Sequence, residues 1–178
     1  MEKTIKKIAI LGAESTGKST LCEQLAAHYN GQFVPEFARS YFEGNDIKNY
    51  SLDELILIAN HQLELEKDIE ETSTNFLFCD TSLITIKIWA LNQFNKVPHI
   101  ISRSIKPSDY DLYLICNNDI PWQADALRQH QHLREHIFKW NKHELQKLSI
   151  DYHIVKGLGD KRLNNAIQII DAAFAKAQ

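Results

Sequence analysis

Eight consecutive residues, Gly12-Ala13-Glu14-Ser15-Thr16-Gly17-Lys18-Ser19, satisfy the pattern G-x-x-x-x-G-K-[ST] at every fixed position. The pattern has a physical reading. Its glycines let the backbone curl so that successive N–H groups point inward at phosphate oxygens. The helix that follows adds its positive N-terminal end. Lys18 is placed to reach the β- and γ-phosphates, and the Ser19 hydroxyl to ligate Mg²⁺. An apolar run from Ile5 to Leu11 precedes the loop and an amphipathic stretch from Lys18 follows it, which is the strand-loop-helix context the motif needs. Nucleoside triphosphate binding is therefore expected, with Gly12, Glu14, Ser15, Thr16, Gly17, Lys18, Ser19 and Thr20 as the binding residues.

Other residues narrow the class. A GTPase switch carries D-x-x-G after the third strand and N-K-x-D after the fourth. Asp80-Thr81-Ser82-Leu83 lacks the glycine, and Asn117-Asn118-Asp119 lacks both the lysine and the spacing. A transporter ATPase needs a long signature region for which 178 residues leave no room. A small kinase that moves the γ-phosphoryl group of ATP to a metabolite remains. It requires a base for the acceptor hydroxyl and a carboxylate for the metal. Glu36 in V-P-E-F-A-R and Asp80 in F-L-F-C-D-T follow apolar strands and fit those needs. Asp80 is expected to hold Mg²⁺ with Ser19 and Glu36 to serve as base, although the residues alone allow the roles to be exchanged. The motif itself does not discriminate ATP from GTP.

Arginines must hold the triphosphate and the charge that develops during transfer. Arg39, Arg128 and Arg134 are the candidates, Arg128 as a catalytic group beside Lys18, Glu36 and Asp80, and Arg134 as a nucleotide contact. Arg128 and Arg134 flank a loop containing Pro121, which suggests a lid-like segment at about 119–136. Trp122 in this polar loop reads as a platform for a flat ligand. Phe37, Tyr41 and Phe42 directly follow Glu36 at near-helical spacing, so one of them is expected to touch the acceptor. His130, His132, His136 and His143 read as the solvated side of a helix rather than a metal site.

These groups need elements to position them. Strand-like runs are expected at Ile5–Leu11, Gln32–Pro35, Phe76–Cys79, Leu112–Cys116 and Tyr152–Val155. Helices are expected at Lys18–Tyr29, Ser51–Glu71, Ser82–Phe94, His99–Ile105, Leu133–Leu148 and from Asp160 onward, with 117–131 as loop. Ser51 and Glu54 form an S-x-x-E capping box, and Leu52, Leu55, Ile56, Ala59 and Leu63 mark the apolar face of that helix. On the last helix Leu163, Ala166, Ile167, Ile170 and Phe174 do the same. Alternating strands and helices imply right-handed β-α-β units. The fold class is α/β: a three-layer P-loop fold with a five-stranded parallel sheet and helices on both faces, in one domain over 1–178. Ligands in such sheets bind beyond the carboxyl ends of the strands. Those ends carry the phosphate loop, Glu36, Asp80, Asn117–Asp119 and a loop from Lys156 to Arg162. That last loop reads equally as an adenine contact or an ordinary turn.

Composition agrees with this class. Apolar residues make up 44% and charged residues 24% of the chain, an ordinary globular mix. The net charge of −3 offers no electrostatic case for nucleic-acid binding. Cys22, Cys79 and Cys116 are odd in number, widely spaced and set in apolar surroundings, as buried thiols in a reducing compartment would be. No run approaches 18 apolar residues, and the first apolar stretch is too short for a signal peptide. A soluble cytoplasmic protein without membrane or nucleic-acid partners is expected. Its oligomeric state is not encoded in any motif.

Taken together, the phosphate loop, Glu36-Phe37-Ala38-Arg39, Cys79-Asp80-Thr81, Asp111-Leu112-Tyr113-Leu114 and Asn118-Asp119-Ile120-Pro121-Trp122-Gln123-Ala124-Asp125-Ala126-Leu127-Arg128 resemble the ribosylnicotinamide kinase domain of the NadR family. The resemblance covers nearly the whole chain. Its most specific part is P-W-x-x-D-x-L-R, where Ala126 replaces the family's usual glycine. The resemblance implies phosphorylation of the 5′-hydroxyl of nicotinamide riboside by ATP and Mg²⁺, in a stand-alone kinase without the family's DNA-binding and adenylyltransferase segments. Nicotinamide riboside carries a permanent pyridinium charge. Trp122 and Asp125 would hold that flat cation and Asn118 its carboxamide or a ribose hydroxyl, with Glu36, Arg39 and Tyr41 completing the acceptor site. A kinase for another nucleoside or nucleotide, and an ATP-binding regulatory module, are the competing readings.

Overall fold

The computed structural model describes residues 5–124 and 131–175. Five strands, β1 (Lys6–Leu11), β2 (Gln32–Val34), β3 (Phe76–Asp80), β4 (Leu112–Cys116) and β5 (Tyr152–Val155), form one sheet in the order β2-β3-β1-β4-β5. Every pairing is parallel. Among the described residues seven α-helices accompany them: α1 (Lys18–His28), α2 (Phe37–Phe42), α3 (Leu52–Thr72), α4 (Leu83–Phe94), α5 (His99–Ser104), α6 (Arg134–Lys147) and α7 (Asp160–Ala175).

Side chains alternate across each strand, so β1 feeds two cores. Ile8 and Ile10 pack with Leu21 and Leu25 of α1 and Ala166 and Ile170 of α7. Ala9 and Leu11 pack on the opposite face with Ile84 and Ile88 of α4 and Leu145 of α6. A third cluster joins Ala38 and Phe42 of α2 to Leu55 and Ile58 of α3, Ile86 of α4 and Ile101 of α5. This satellite core fixes α2 and α4 relative to each other. The order of the sheet leaves β1 between β3 and β4, so the crevice beyond its carboxyl end opens at the topological switch point. Cys22, Cys79 and Cys116 are buried and unpaired in the two sheet cores.

The expected strands and most helices match to within one or two residues at their ends. The capping box of α3 is present: Glu54 N donates to Ser51 Oγ, and Ser51 N donates to Glu54 Oε2. Its apolar face requires correction. Leu63 is exposed, while Gln62 and Glu66 are buried. Both of these buried side chains have partners, as burial demands. Gln62 Oε1 accepts from Phe37 N at 2.9 Å, which ties α3 to the first turn of α2. Glu66 accepts from Tyr110 Oη at 2.9 Å and pairs with Lys7 Nζ at 3.1 Å. On α7 the buried face runs Arg162, Ala166, Ile170, so its first turn presents a charge inward where Leu163 was expected to lead. The segment after β4 is loop through Ala124, followed by a 3-10 turn at Gln131–Leu133 and then α6. The middle of the lid-like segment, 125–130, lies outside the described residues. His132, His136 and His143 are exposed. Among the described residues no helix is long and apolar enough to cross a membrane.

Candidate active site

The turn from β1 into α1 is built by two glycines. Gly17 has φ +75° and caps α1. A β-carbon there would meet both left-handed strain and the Ile120 Cδ1 atom at 2.9 Å. Gly12, at φ +146°, approaches the end of β4, where a β-carbon would come within 3.1 Å of the Cys116 carbonyl oxygen. Inside the turn, Thr16 Oγ1 and Lys18 Nζ both donate to the Ala13 carbonyl, at 2.8 and 3.1 Å. The loop is closed on itself and the ammonium lies across its mouth.

β1 and β3 run side by side with Ile10 level with Asp80, which brings the first turn of α1 to the end of β3. Ser19 Oγ donates to Asp80 Oδ2 at 2.5 Å. The other oxygen, Asp80 Oδ1, is buried with no hydrogen-bond partner among the described residues. A hydroxyl and a carboxylate oxygen set together, with a second carboxylate oxygen unsatisfied, are the hard donors that Mg²⁺ prefers. The residues present fit the ion.

Glu36 faces this pair from the end of β2, as the cap position of α2. Removal from water pushes its carboxyl up to about 7, and the nearby Asp80 and Glu14 charges add to the rise against Lys18 and Arg39. The Asp80 carboxyl is likewise raised by burial, against Lys18, the Ser19 hydrogen bond and Arg39. The two carboxylates thus sense each other and share the same two cations. Carboxylates whose pKa values are raised side by side in a cleft are suited to acid–base and metal chemistry.

A cleft extends from the phosphate loop past Glu36 and Arg39 to a wall of Phe42, Ile47, Thr85, Trp89 and Ile137. Thr85 and Trp89 are one turn apart on α4, so they share a face. None of the wall residues was singled out as a contact in the sequence, apart from Phe42 as one of three aromatics. α4 is apolar nearly all round, so no stripe distinguishes its cleft side.

Other expected site residues sit elsewhere. Tyr41 Oη donates to Glu54 Oε1 at 2.9 Å and does not line the cleft. Asn118 Nδ2 donates to the Arg134 carbonyl at 3.0 Å, at the start of α6. Trp122 lies under the Arg134 guanidinium, 5.8 Å from ring centroid to Cζ, and is not part of the cleft lining. Arg134 Nη2 donates to the Ser15 and Ile120 carbonyls at 3.1 and 2.8 Å. Gln123 N donates to Ser15 Oγ at 2.9 Å. The loop after β4 is thereby folded back onto the phosphate loop. Burial lowers the Arg134 pKa, Arg162 adds to the effect, and Asp119 opposes it. Asp125 and Arg128 lie outside the described residues.

Arg162 is the main residue missed. It is 4% exposed and lies beneath the phosphate loop. Its guanidinium donates to the carbonyls of Thr16, Asn117 and Gly157 at 3.0, 3.1 and 2.9 Å, and pairs with Asp119. Asp119 also accepts from Gly157 N at 2.7 Å. One side chain therefore joins the phosphate loop, the end of β4 and the turn after β5. The signal was available: Arg162, Ala166 and Ile170 repeat at i, i+4, i+8, the spacing of a buried stripe.

Parallel sheet, phosphate loop, and paired Ser19 and Asp80 together define a P-loop nucleotide-binding protein with the fold of small-molecule kinases. The chain belongs to the AAA-domain family AAA_28, whose model matches residues 7–162. It is similar to the trifunctional NAD biosynthesis/regulator protein NadR of Escherichia coli K12, with 27% identity over 128 residues. That match spans 70% of this chain and 31% of the relative, so the chain corresponds to about a third of the full-length protein. NadR solved in complex with NR superposes with a TM-score of 0.78 at 22% identity, over 94% of this chain and 49% of that one. Thymidylate kinase from Candida albicans shares the fold with a TM-score of 0.64 at 16% identity, over 94% of this chain and 91% of that chain.

Proposed function

We propose that the protein is a cytoplasmic ATP- and Mg²⁺-dependent kinase that phosphorylates the 5′-hydroxyl of nicotinamide riboside, giving nicotinamide mononucleotide and ADP. The observation that carries the reading is the Ser19–Asp80 pair beside Lys18, faced by Glu36 across the mouth of a cleft with an aromatic wall. The similarity to NadR, one structure of which holds NR and another NAD with AMP-PNP, supports the choice of acceptor and triphosphate. The buried, unpaired thiols suit a reducing compartment.

In this reading the backbone N–H groups of Gly12–Ser19 and the start of α1 bind the phosphates. Ser19 and Asp80 hold Mg²⁺, which when bound neutralises charge on the β- and γ-phosphates. Lys18 leaves the Ala13 carbonyl for the transferring phosphoryl oxygens. Glu36, raised to about 7, takes the proton from the acceptor 5′-hydroxyl as its oxygen attacks phosphorus. Arg39 lies where its charge reaches both carboxylates. The Trp89 face receives the pyridinium ring, since an aromatic face attracts a flat cation. Trp122, Arg134 and Asn118 serve the nucleotide side through the folded-back loop. By their sequence assignments Arg128 stabilises transition-state charge and Asp125 balances the acceptor's pyridinium charge.

The test is ADP release with ATP and Mg²⁺, with and without nicotinamide riboside, alongside thymidine and cytidine. Strong stimulation by nicotinamide riboside with the mononucleotide as product is expected. Equal turnover of thymidine or cytidine would replace this acceptor by nucleosides in general. ATP binding with no stimulation by any nucleoside would favour a regulatory module.

A further inference from the structure

Thr85 is 5% exposed and lines the cleft, yet its Oγ1 atom is buried without any hydrogen-bond partner among the described residues. A helical threonine ordinarily returns its hydroxyl to the carbonyl three or four residues back. Here the Ser82 carbonyl is engaged by the Thr85 backbone N–H, and the hydroxyl makes no such bond. Buried polar atoms left unpaired are uncommon, and each calls for a reason. Thr85 follows Asp80 by five residues and precedes Trp89 by one helical turn, so α4 carries it between the end of β3 and Trp89 on the face that lines the cleft. The rest of that wall, Phe42, Ile47, Trp89 and Ile137, is apolar except for the indole N–H.

A nucleoside has the same order. Its 5′-oxygen must reach Glu36, its flat ring must reach the aromatic wall, and its sugar lies between. We propose that Thr85 is a specificity-determining residue whose hydroxyl bonds a secondary hydroxyl of the acceptor's ribose, so that the site selects ribosides over deoxy sugars. The proposal rests on the nucleoside-kinase reading above. The charged groups nearby, Glu36 and Arg39, are committed to the transfer end, which leaves Thr85 as the neutral partner at the level of the sugar.

The experiment compares kcat/KM of the wild type, Thr85→Val and Thr85→Ser at saturating ATP and Mg²⁺. The acceptors are nicotinamide riboside and its 2′-deoxy and 3′-deoxy analogues. Valine keeps the branched shape and deletes the hydroxyl; serine keeps the hydroxyl. Thr85→Val should lose about tenfold on the riboside, the worth of one hydrogen bond. It should lose nothing further on the analogue that lacks the bonded hydroxyl, and Thr85→Ser should retain most of the wild-type preference. A loss uniform across the three sugars, or an unchanged Thr85→Val, overturns the assignment while leaving the kinase reading intact. Melting curves of the three proteins identify a variant that fails to fold, in which case Thr85→Ser and the analogue ratios of the wild type decide. A wild type that discriminates against neither deoxy sugar overturns it as well. A wild type that phosphorylates no nucleoside overturns the kinase reading, and this one with it.

Discussion

Glu36 should weaken the folded chain at the pH where it is useful. Its carboxyl titrates near 7 in the folded protein against an ordinary value of 4.5, chiefly because the site removes it from water. The folded state therefore holds a proton between pH 4.5 and 7 that the unfolded state has released. Stability falls as pH rises through that window and the cost is complete above it. At 1.36 kcal/mol per pH unit the full shift corresponds to about 3 kcal/mol. Glu36 is only half-buried, and solvent screening reduces the expected cost to about 1–2 kcal/mol. Glu36→Gln abolishes the titration and keeps the shape. The variant and the wild type should have similar stability at pH 4.5, and the variant should be more stable by about 1–2 kcal/mol at pH 8. For a chain of this length that is a melting shift of roughly 2–8 °C. Urea denaturation without nucleotide or divalent cation, at constant ionic strength and several pH values, reads the difference. Curves that run parallel from pH 4.5 to 8, or a variant less stable at pH 8, would refute the electrostatic account of the site.

Three further variants probe its parts. Lys18→Ala should lose phosphoryl transfer by at least about a hundredfold while keeping its circular dichroism, because among the described residues the side chain hydrogen-bonds its own loop at Ala13. Asp80→Asn should lower kcat by orders of magnitude and raise the Mg²⁺ concentration for half-maximal rate; a change confined to nucleoside KM would make Asp80 a substrate contact instead. Arg162→Met should destabilise the fold by about 3 kcal/mol, since it leaves three carbonyls and the Asp119 carboxylate short of donors. In the same variant ATP affinity should fall more than acceptor affinity, as measured by calorimetry with each ligand.

The sheet and the phosphate loop were legible because both are local signals. Apolar runs bounded by turns gave all five strands, and the motif specifies its own strand and helix. Legibility ended where polar residues were used inside. Gln62 and Glu66 carry the buried face of α3 through bonds to Phe37 N, Tyr110 and Lys7, which no periodicity of apolar residues anticipates. α2 spans only six residues and is held by α3, so its own sequence barely specifies it. The site divided along the same line. Lys18, Ser19, Glu36 and Asp80 follow strand ends and were placed by topology. Thr85, Trp89 and Arg162 reach it from helices whose packing depends on the whole fold. An aromatic in a polar loop can cover a ligand or a guanidinium, and Trp122 lies under that of Arg134, a contact no local sequence signal announces.

Arg162 has a bearing on how the molecule is made. The phosphate loop occupies residues 12–19, but the guanidinium that holds the Thr16 carbonyl from below belongs to the first turn of α7. A chain leaving the ribosome presents Thr16 146 residues before the side chain that supports it. Until α7 has emerged and docked, the loop lacks its underpinning, and the Asp119–Gly157 link between the end of β4 and the turn after β5 lacks the guanidinium that braces it. The phosphate loop is thus braced only once α7 has followed it, and a chain truncated before Arg162 would carry the whole motif without that support.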